Sequence, residues 1–456
     1  MNNWSRDLKP EMRPFLPATN AFVAGRDTPE AFLERCLTAI EENERNVLAF
    51  VALDIAGARR AAAEATRRWQ TGKPLSPIDG MPIGVKDIME TASMPTGEGS
   101  PLFRGRRTHR DAAAVAALRA AGAIILGKTV TTEFAAVEPG PTHNPWDLNR
   151  TPGGSSSGSA AAVACGLIPV GLGTQVIGST IRPASFCGCY GFKPSVNAIN
   201  RGGSFDYKSH SVTTVLAASL DEAWVVARQI SLRAGGDYGH MGLDGPLSVP
   251  SPERPDSIVF LRTGAWAAAS EDARKEIEKT IATLWDAGVR IHKSETHPAV
   301  AAAEEAISGA AGLAGLINIW EDQWPLNTYA RDIDASKLSD VMRRRLESAA
   351  EMSQEKYGAC LAERERTRGV YEKLSEVASV CLTLSASGPA PVGLHSTGDP
   401  SFAIPASLLG IPAISLPVLR ADGLPLGLQI MGFRNKDSSL IANAGFIESM
   451  LQHSHA

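Results

Sequence analysis

Apolar residues in this chain recur at two spacings, every third or fourth position over long stretches and then in short unbroken runs, often with a glycine between. Asp111-Ala-Ala-Ala-Val-Ala-Ala-Leu-Arg-Ala-Ala-Gly122 has the pattern of a helix closed by a glycine, and the run Ala123–Leu126 directly after it predicts a strand. The same device recurs as Ile277–Ala287, Gly288 and Val289–Ile291. Thr28-Pro29-Glu30 opens another amphipathic helix to about Asn43, with Thr28 as N-cap and proline at the first helical position. Asp54–Trp69 is Ala- and Arg-rich and predicts a helix ending near Gly72. Ile258–Leu261, Val380–Leu384, Ala413–Leu416 and Leu426–Met431 are further strand candidates. Val300–Arg368 is helical in composition, with a Trp-rich interruption around Trp320 and Trp324. Helix, glycine, short apolar strand is the grammar of a layered α/β protein. The Pro-rich patch Leu247–Pro255 is the best candidate boundary, read here as a connection inside one domain spanning residues 1–456.

Composition narrows the class. Hydrophobic residues make up 44% and charged residues 21% of 456, as in soluble globular proteins with a large core. A net charge of −4 without a basic stripe argues against nucleic acid as a partner. The segment Met1–Asp7 leads into no apolar run, so neither a signal peptide nor a membrane partner is expected, and a cytoplasmic location is. Six cysteines in a chain of this length make no disulfide framework. Cys187 and Cys189 lack a His or second Cys pair at zinc spacing and are expected to be reduced and buried; no metal or cofactor is anticipated.

The chemistry concentrates between Arg150 and Arg182, a stretch without Asp, Glu, Lys or Arg yet rich in serine and glycine. Burying such hydroxyls and N–H groups without partners costs about 1–3 kcal/mol each, so a bound small molecule is the expected compensation. Amide cleavage needs a nucleophile, a group to take its proton, and donors aimed at the oxyanion. A Gly-rich loop supplies the donors and serine the nucleophile, but the loop holds no histidine to act as base. A neutral lysine serves instead if its environment lowers a pKa that is ordinarily about 10.4. Lys86 ends the apolar run Gly80-Met-Pro-Ile-Gly-Val-Lys86, which would carry its side chain inward; a solvated or ion-paired lysine is the alternative.

The chain resembles the amidase signature family of serine hydrolases from about residue 28 to 450. The likeness is densest over 80–194, in Gly80–Asp87, Ala121–Thr129, Glu133-Phe-Ala135, Asn144–Ala164, Gly178–Gly188 and Gly191-Phe-Lys-Pro194, and returns at Gly423–Gly432. The resemblance implies a large mixed β-sheet covered by helices on both faces, with a core signature region at about 75–220 and a helical pocket region at about 295–370. It also implies a Ser–Ser–Lys triad in which Ser179 is the nucleophile, Ser155 a serine with a cis peptide bond, and Lys86 the base. Backbone N–H groups of Val176, Ile177, Gly178 and Ser179 are the expected oxyanion hole. Ser156, Gln175 and Arg182 are expected to support the relay from behind, Arg182 by holding the loop. Ser156, Ser157 and Ser159 read equally as cap and loop residues of a helix over Ala160–Cys165; Lys128, Glu133 and Cys187 read as structural. A homodimer is the expected assembly.

Four departures from the family pattern stand out. Gln175-Val-Ile-Gly-Ser179 replaces the common Asp-Thr-Gly-Gly-Ser, so an acid is lost and Ile177 stands in place of glycine. The arginine after the nucleophile is displaced to Arg182, Ser157 replaces a glycine, and Ser211 replaces a downstream Asp. Loss of both acids predicts a coupled change at Gln175 and Ser211. The leading functional expectation is an amidase acting on a small or aryl carboxamide. The alternatives are the glutaminase subunit of a tRNA-dependent amidotransferase, which needs partner subunits, and a catalytically silent binding protein. Specificity walls are expected from Met89–Phe103, residues 300–345 and Gly388–Asp399, with core packing the expected use of Trp320, Trp324 and Tyr329.

Overall fold

The computed structural model describes residue 8, residues 10–205 and residues 207–453; the Met1–Asp7 segment read above lies outside the described residues. Among the described residues, eleven strands form one mixed sheet. They are β1 (Phe50–Leu53), β2 (Pro82–Lys86), β3 (Ile124–Thr129), β4 (Val170–Gln175), β5 (Tyr190–Lys193), β6 (Val212–Ala217), β7 (Ser257–Phe260), β8 (Arg290–His292), β9 (Val380–Leu384), β10 (Ala413–Ala421) and β11 (Leu424–Met431). Their order across the sheet is β1-β3-β2-β4-β6-β5-β10-β11-β9-β7-β8. β2 runs parallel to both β3 and β4, and β7 runs parallel to β8 and β9; the remaining pairs are antiparallel. Strands from both sides of the Leu247–Pro255 patch lie in this sheet.

Side-chain alternation along the strands divides the interior in two. Ile124 and Leu126 of β3, with Leu216 of β6, face a core built from the helices Pro29–Val47, Ile55–Gln70 and Ser157–Ala164. Ile125 and Val215 face the opposite core, under Ala113–Ala120 and Leu220–Ala234. The sheet is therefore covered by helices on both faces, and the central strands β2 to β6 are buried throughout.

The expected helices form, with shifted ends. Thr28 does cap the first, its side chain accepting from the Ala31 N–H, but that helix runs on to Val47. Asp54 caps the helix Ile55–Gln70. The interruption near Trp324 separates Ala310–Glu321 from Asp340–Glu351. Strands β4, β5 and β6 carry no clear apolar run. In β4 this is because glycines take alternate positions: a Cβ on Gly171 would lie 2.9 Å from the Ser159 Cβ, and one on Gly173 2.9 Å from Ser156 Oγ. The helix Ser157–Ala164 can thus lie directly on β4.

Gly158 sets the seating of that helix. A Cβ there would fall 2.2 Å from the Ala49 carbonyl oxygen and 2.4 Å from the Val130 nitrogen, both backbone atoms that cannot rotate away. Gly158→Ala is expected to destabilise the protein by about 3 kcal/mol in urea unfolding. Gly358→Ala, on the exposed face of the helix Gln354–Glu372 with nothing within 4 Å, should instead stabilise it by about 0.5–1 kcal/mol.

Candidate active site

Parallel pairing brings the ends of β2 and β4 side by side, Val85 opposite Leu172, so the residues that follow each meet at the sheet's edge. Lys86, the last residue of β2, is fully buried. Its Nζ donates to Ser155 Oγ at 2.7 Å and to Thr174 Oγ1 at 2.8 Å. The Gly154–Ser155 peptide bond is cis, as the resemblance implied. Arg182, also buried, grips this loop: its guanidinium donates to the Gly154 carbonyl at 2.7 Å, the Gly398 carbonyl at 2.7 Å and Thr397 Oγ1 at 3.0 Å. Burial pushes the Arg182 guanidinium down to about 10, against the pull of Asp399, so the side chain stays charged at neutral pH.

Ser179 joins the same loop through the backbone, its carbonyl accepting from the Ser156 N–H at 3.2 Å. The Ser179 side chain lines a cavity of about 370 Å³ and makes no hydrogen bond of its own among the described residues, to Ser155 or to any other. Val176, Ile177 and Gly178 line the same cavity, and the N–H groups of Ile177, Gly178 and Ser179 are engaged by no other group among the described residues. Such an array of free donors beside a hydroxyl suits an oxygen that gains negative charge.

Gln175 organises this turn. Its Oε1 accepts from the N–H groups of Thr180 and Ile181, both at 2.9 Å, capping the helix Ile181–Cys187. Its Nε2 donates to Ser407 Oγ at 3.0 Å, and that hydroxyl donates to the Ile177 carbonyl at 2.8 Å. Gln175 pairs in the sheet with Val212, the residue after Ser211, and its side chain is committed to the turn.

The neighbouring serines differ from their expected capping use. Ser156 stands at the N-cap of Ser157–Ala164 without capping it; its Oγ exchanges hydrogen bonds with the Thr174 backbone at 3.3 Å. Ser157 and Ser159 lie inside the helix, bonded to the carbonyls of Val130 and Leu172. The side chains of Lys128 and Glu133 make no hydrogen bond to these serines among the described residues. Lys128 pairs with Asp87 at 2.9 Å, and burial moves the two in opposite directions, the amine down and the carboxyl up. Glu133 accepts from Ser100 Oγ and the Ser339 N–H. Cys187 is buried, as expected.

The cavity's outer walls come from residues 134–139, from Phe205, Tyr207 and Lys208, from parts of the stretch between Asn318 and Arg345, and from residues 395–398 with Pro400. Met89–Phe103 contributes none of them; Phe103 packs behind, edge-on to Phe134 and Tyr329. Trp324 lines the cavity, whereas Trp320 stacks on Tyr357 and Tyr329 backs Phe134 and Phe205. Thr174 is the site residue that sequence reasoning missed. Its only signal was its place next to Gln175 in a strand disguised by glycines. Among the described residues no group of three His, Cys, Asp or Glu is placed to hold a metal ion, and no single helix is long and apolar enough to cross a membrane.

A doubly covered mixed sheet carrying this buried lysine–serine loop at its edge defines an amide-hydrolysing α/β enzyme. The chain belongs to the amidase family, whose model matches residues 31–441. It is 31% identical to a glutamyl-tRNA(Gln) amidotransferase subunit of Chloroflexus aggregans, over 93% of each chain, and 31% identical to the corresponding subunit of Salinispora tropica, over 93% of this chain and 94% of that one. Among solved structures it superposes on an amidase with a TM-score of 0.81 at 26% identity, covering 96% of this chain and 99% of the other.

Arg182→Lys keeps a positive charge but cannot reach three acceptors held by a planar fork. It is expected to lower unfolding free energy by about 3 kcal/mol, measured in urea.

Proposed function

We propose that the protein hydrolyses the carbon–nitrogen bond of a small or aryl carboxamide through an acyl-enzyme on Ser179. The observation that carries this reading is the 2.7 Å contact between the buried Lys86 amine and the Ser155 hydroxyl, on a loop hydrogen-bonded to Ser179. In this reading Lys86, uncharged, takes a proton from Ser155, which takes one from Ser179 as its Oγ attacks the carbonyl carbon. The N–H groups of Val176, Ile177, Gly178 and Ser179 hold the oxyanion. The relay then runs backward to protonate the leaving amine, and water releases the acid. The Ser155–Ser179 link closes when substrate fills the cavity, in keeping with catalytic hydrogen bonds that tighten only in the complex. Thr174 orients the amine from its second side.

A second reading is favoured by the curated relatives, which are amidotransferase subunits matched over nearly their whole length. In that case the same chemistry releases ammonia from glutamine, and the chain works with partner subunits. Hydrolysis of simple amides by the isolated chain supports the first reading; glutamine turnover that appears only with such subunits supports the second.

Ser179→Ala and Lys86→Ala are each expected to lower kcat by about 10²–10⁴-fold or more, and Ser155→Ala by nearly as much, measured by product release from an amide panel. A wild-type kcat in Lys86→Ala removes the base from the scheme. Thr174→Val, which keeps shape but not the hydroxyl, should lower kcat about tenfold and, by removing one hydrogen bond from the buried Lys86 amine, lower unfolding free energy by about 1–3 kcal/mol in urea.

A further inference from the structure

The cavity that holds Ser179 has a neighbour. A second cavity, of about 280 Å³, is walled by the helices Ala310–Glu321 and Asp340–Glu351. Ile177, Asn318, Val341 and Arg345 line both cavities and so make the partition between them. Asn318, Val341 and Arg345 come from the two helices. Ile177 comes from the turn that carries Ser179, two residues before it.

Ile177 is a fixed part of that partition. Its carbonyl accepts from Ser407 Oγ at 2.8 Å. Its side chain is branched at Cβ, hence stiff at χ1, and packs against the cluster that contains Ile317, Ile404 and Leu408. Its N–H is engaged by no other group among the described residues and is one of the donors offered to the oxyanion. An oxygen held on that N–H sits about 3 Å from the nitrogen, which brings the atoms joined to the reacting carbonyl carbon beside the Ile177 side chain. Across the partition, Ile319 and Val341 give the second cavity an apolar lining, and a Cβ built on Gly315 meets nothing within 4 Å. Arg344 and Ser348, both exposed, form its rim. Room for an apolar group is thus already present, and Ile177 stands between that room and the carbonyl.

From this we infer that Ile177 is a specificity-determining residue: its side chain sets how wide a substituent the amide can carry next to its carbonyl, and it shuts off an apolar subsite in the second cavity. The inference rests on the amidase reading above and deepens it. Shortening this one side chain opens the subsite to a second apolar group on the carbon beside the carbonyl, because the walls around it come from helices that the change leaves in place. A side chain added at Gly315 fills the same space from the other side and closes the subsite again.

Calorimetric titration of the Ser179→Ala protein with phenylacetamide and with diphenylacetamide, which carries a second ring on the carbon beside the carbonyl, measures this width without turnover. We expect Ile177→Ala to raise affinity for diphenylacetamide relative to phenylacetamide by about tenfold, and Ile177→Val by about threefold. The valine variant also carries the test should the alanine variant unfold. Adding Gly315→Phe should cancel the gain and leave phenylacetamide binding unchanged; the position is open, and a helix is strengthened by losing an internal glycine. An unchanged ratio in every Ile177 variant that folds overturns the inference. So does a gain that survives Gly315→Phe, since the space opened is then not this cavity, and so does an absence of measurable binding by both amides in every variant. Hydrolysis of phenylacetamide by the protein with Ser179 intact is scored separately. A shift in affinity without turnover upholds the partition and sinks the hydrolase reading; turnover without the shift does the reverse.

Discussion

Everything at the candidate site follows from burying one amine at the end of β2. Taking the Lys86 side chain out of water removes the hydrogen bonds that water gave it, and the protein must replace them. Two hydroxyls do so, Ser155 from a loop and Thr174 from the neighbouring parallel strand. Neither is in reach unless the loop at residues 152–157 turns back over the sheet edge and the helix after it lies close on β4. The glycines of β4 and Gly158 allow that closeness because no side chain intervenes.

The surrounding polar groups hold backbone and leave the cavity itself free of fixed contacts. Arg182 takes the Gly154 carbonyl, Gln175 takes the first N–H groups of the next helix, and Ser407 takes the Ile177 carbonyl. Each interaction fixes the backbone path through the turn without using the N–H groups of residues 177–179. A turn held from outside in this way can present those donors in one geometry before any ligand arrives, which is how preorganised sites avoid reorganisation during reaction. Gln175 does this without a charge, so the turn needs no counter-ion among its neighbours.

Much of this was legible in the sequence, and what was not has a physical reason. Helix starts were readable because Thr28 and Asp54 cap with their own side chains. The strands β9 and β11 were readable from short, mostly apolar runs. By contrast, β4 was hidden because its packing requires glycine, the residue that sequence patterns read as a loop. The site loop was visible as a charge-free run of serine and glycine. Thr174 was not, since its role arises from a side-chain hydrogen bond to a residue 88 positions away, on the neighbouring parallel strand. The same limit explains the misplaced specificity wall. Met89–Phe103 follows Lys86 closely in sequence, but it contributes nothing to the cavity lining, and its Phe103 packs behind the aromatic residues that reach the cavity.

The central claim is that Lys86 activates Ser179 through Ser155. Its most direct test is the site and rate of covalent labelling by a fluorophosphonate, followed by peptide mass spectrometry. The account predicts a single adduct on Ser179, formed about 10²-fold or more slowly when Lys86 is replaced by alanine. An adduct on another serine, or equal labelling rates with and without the lysine, would contradict it.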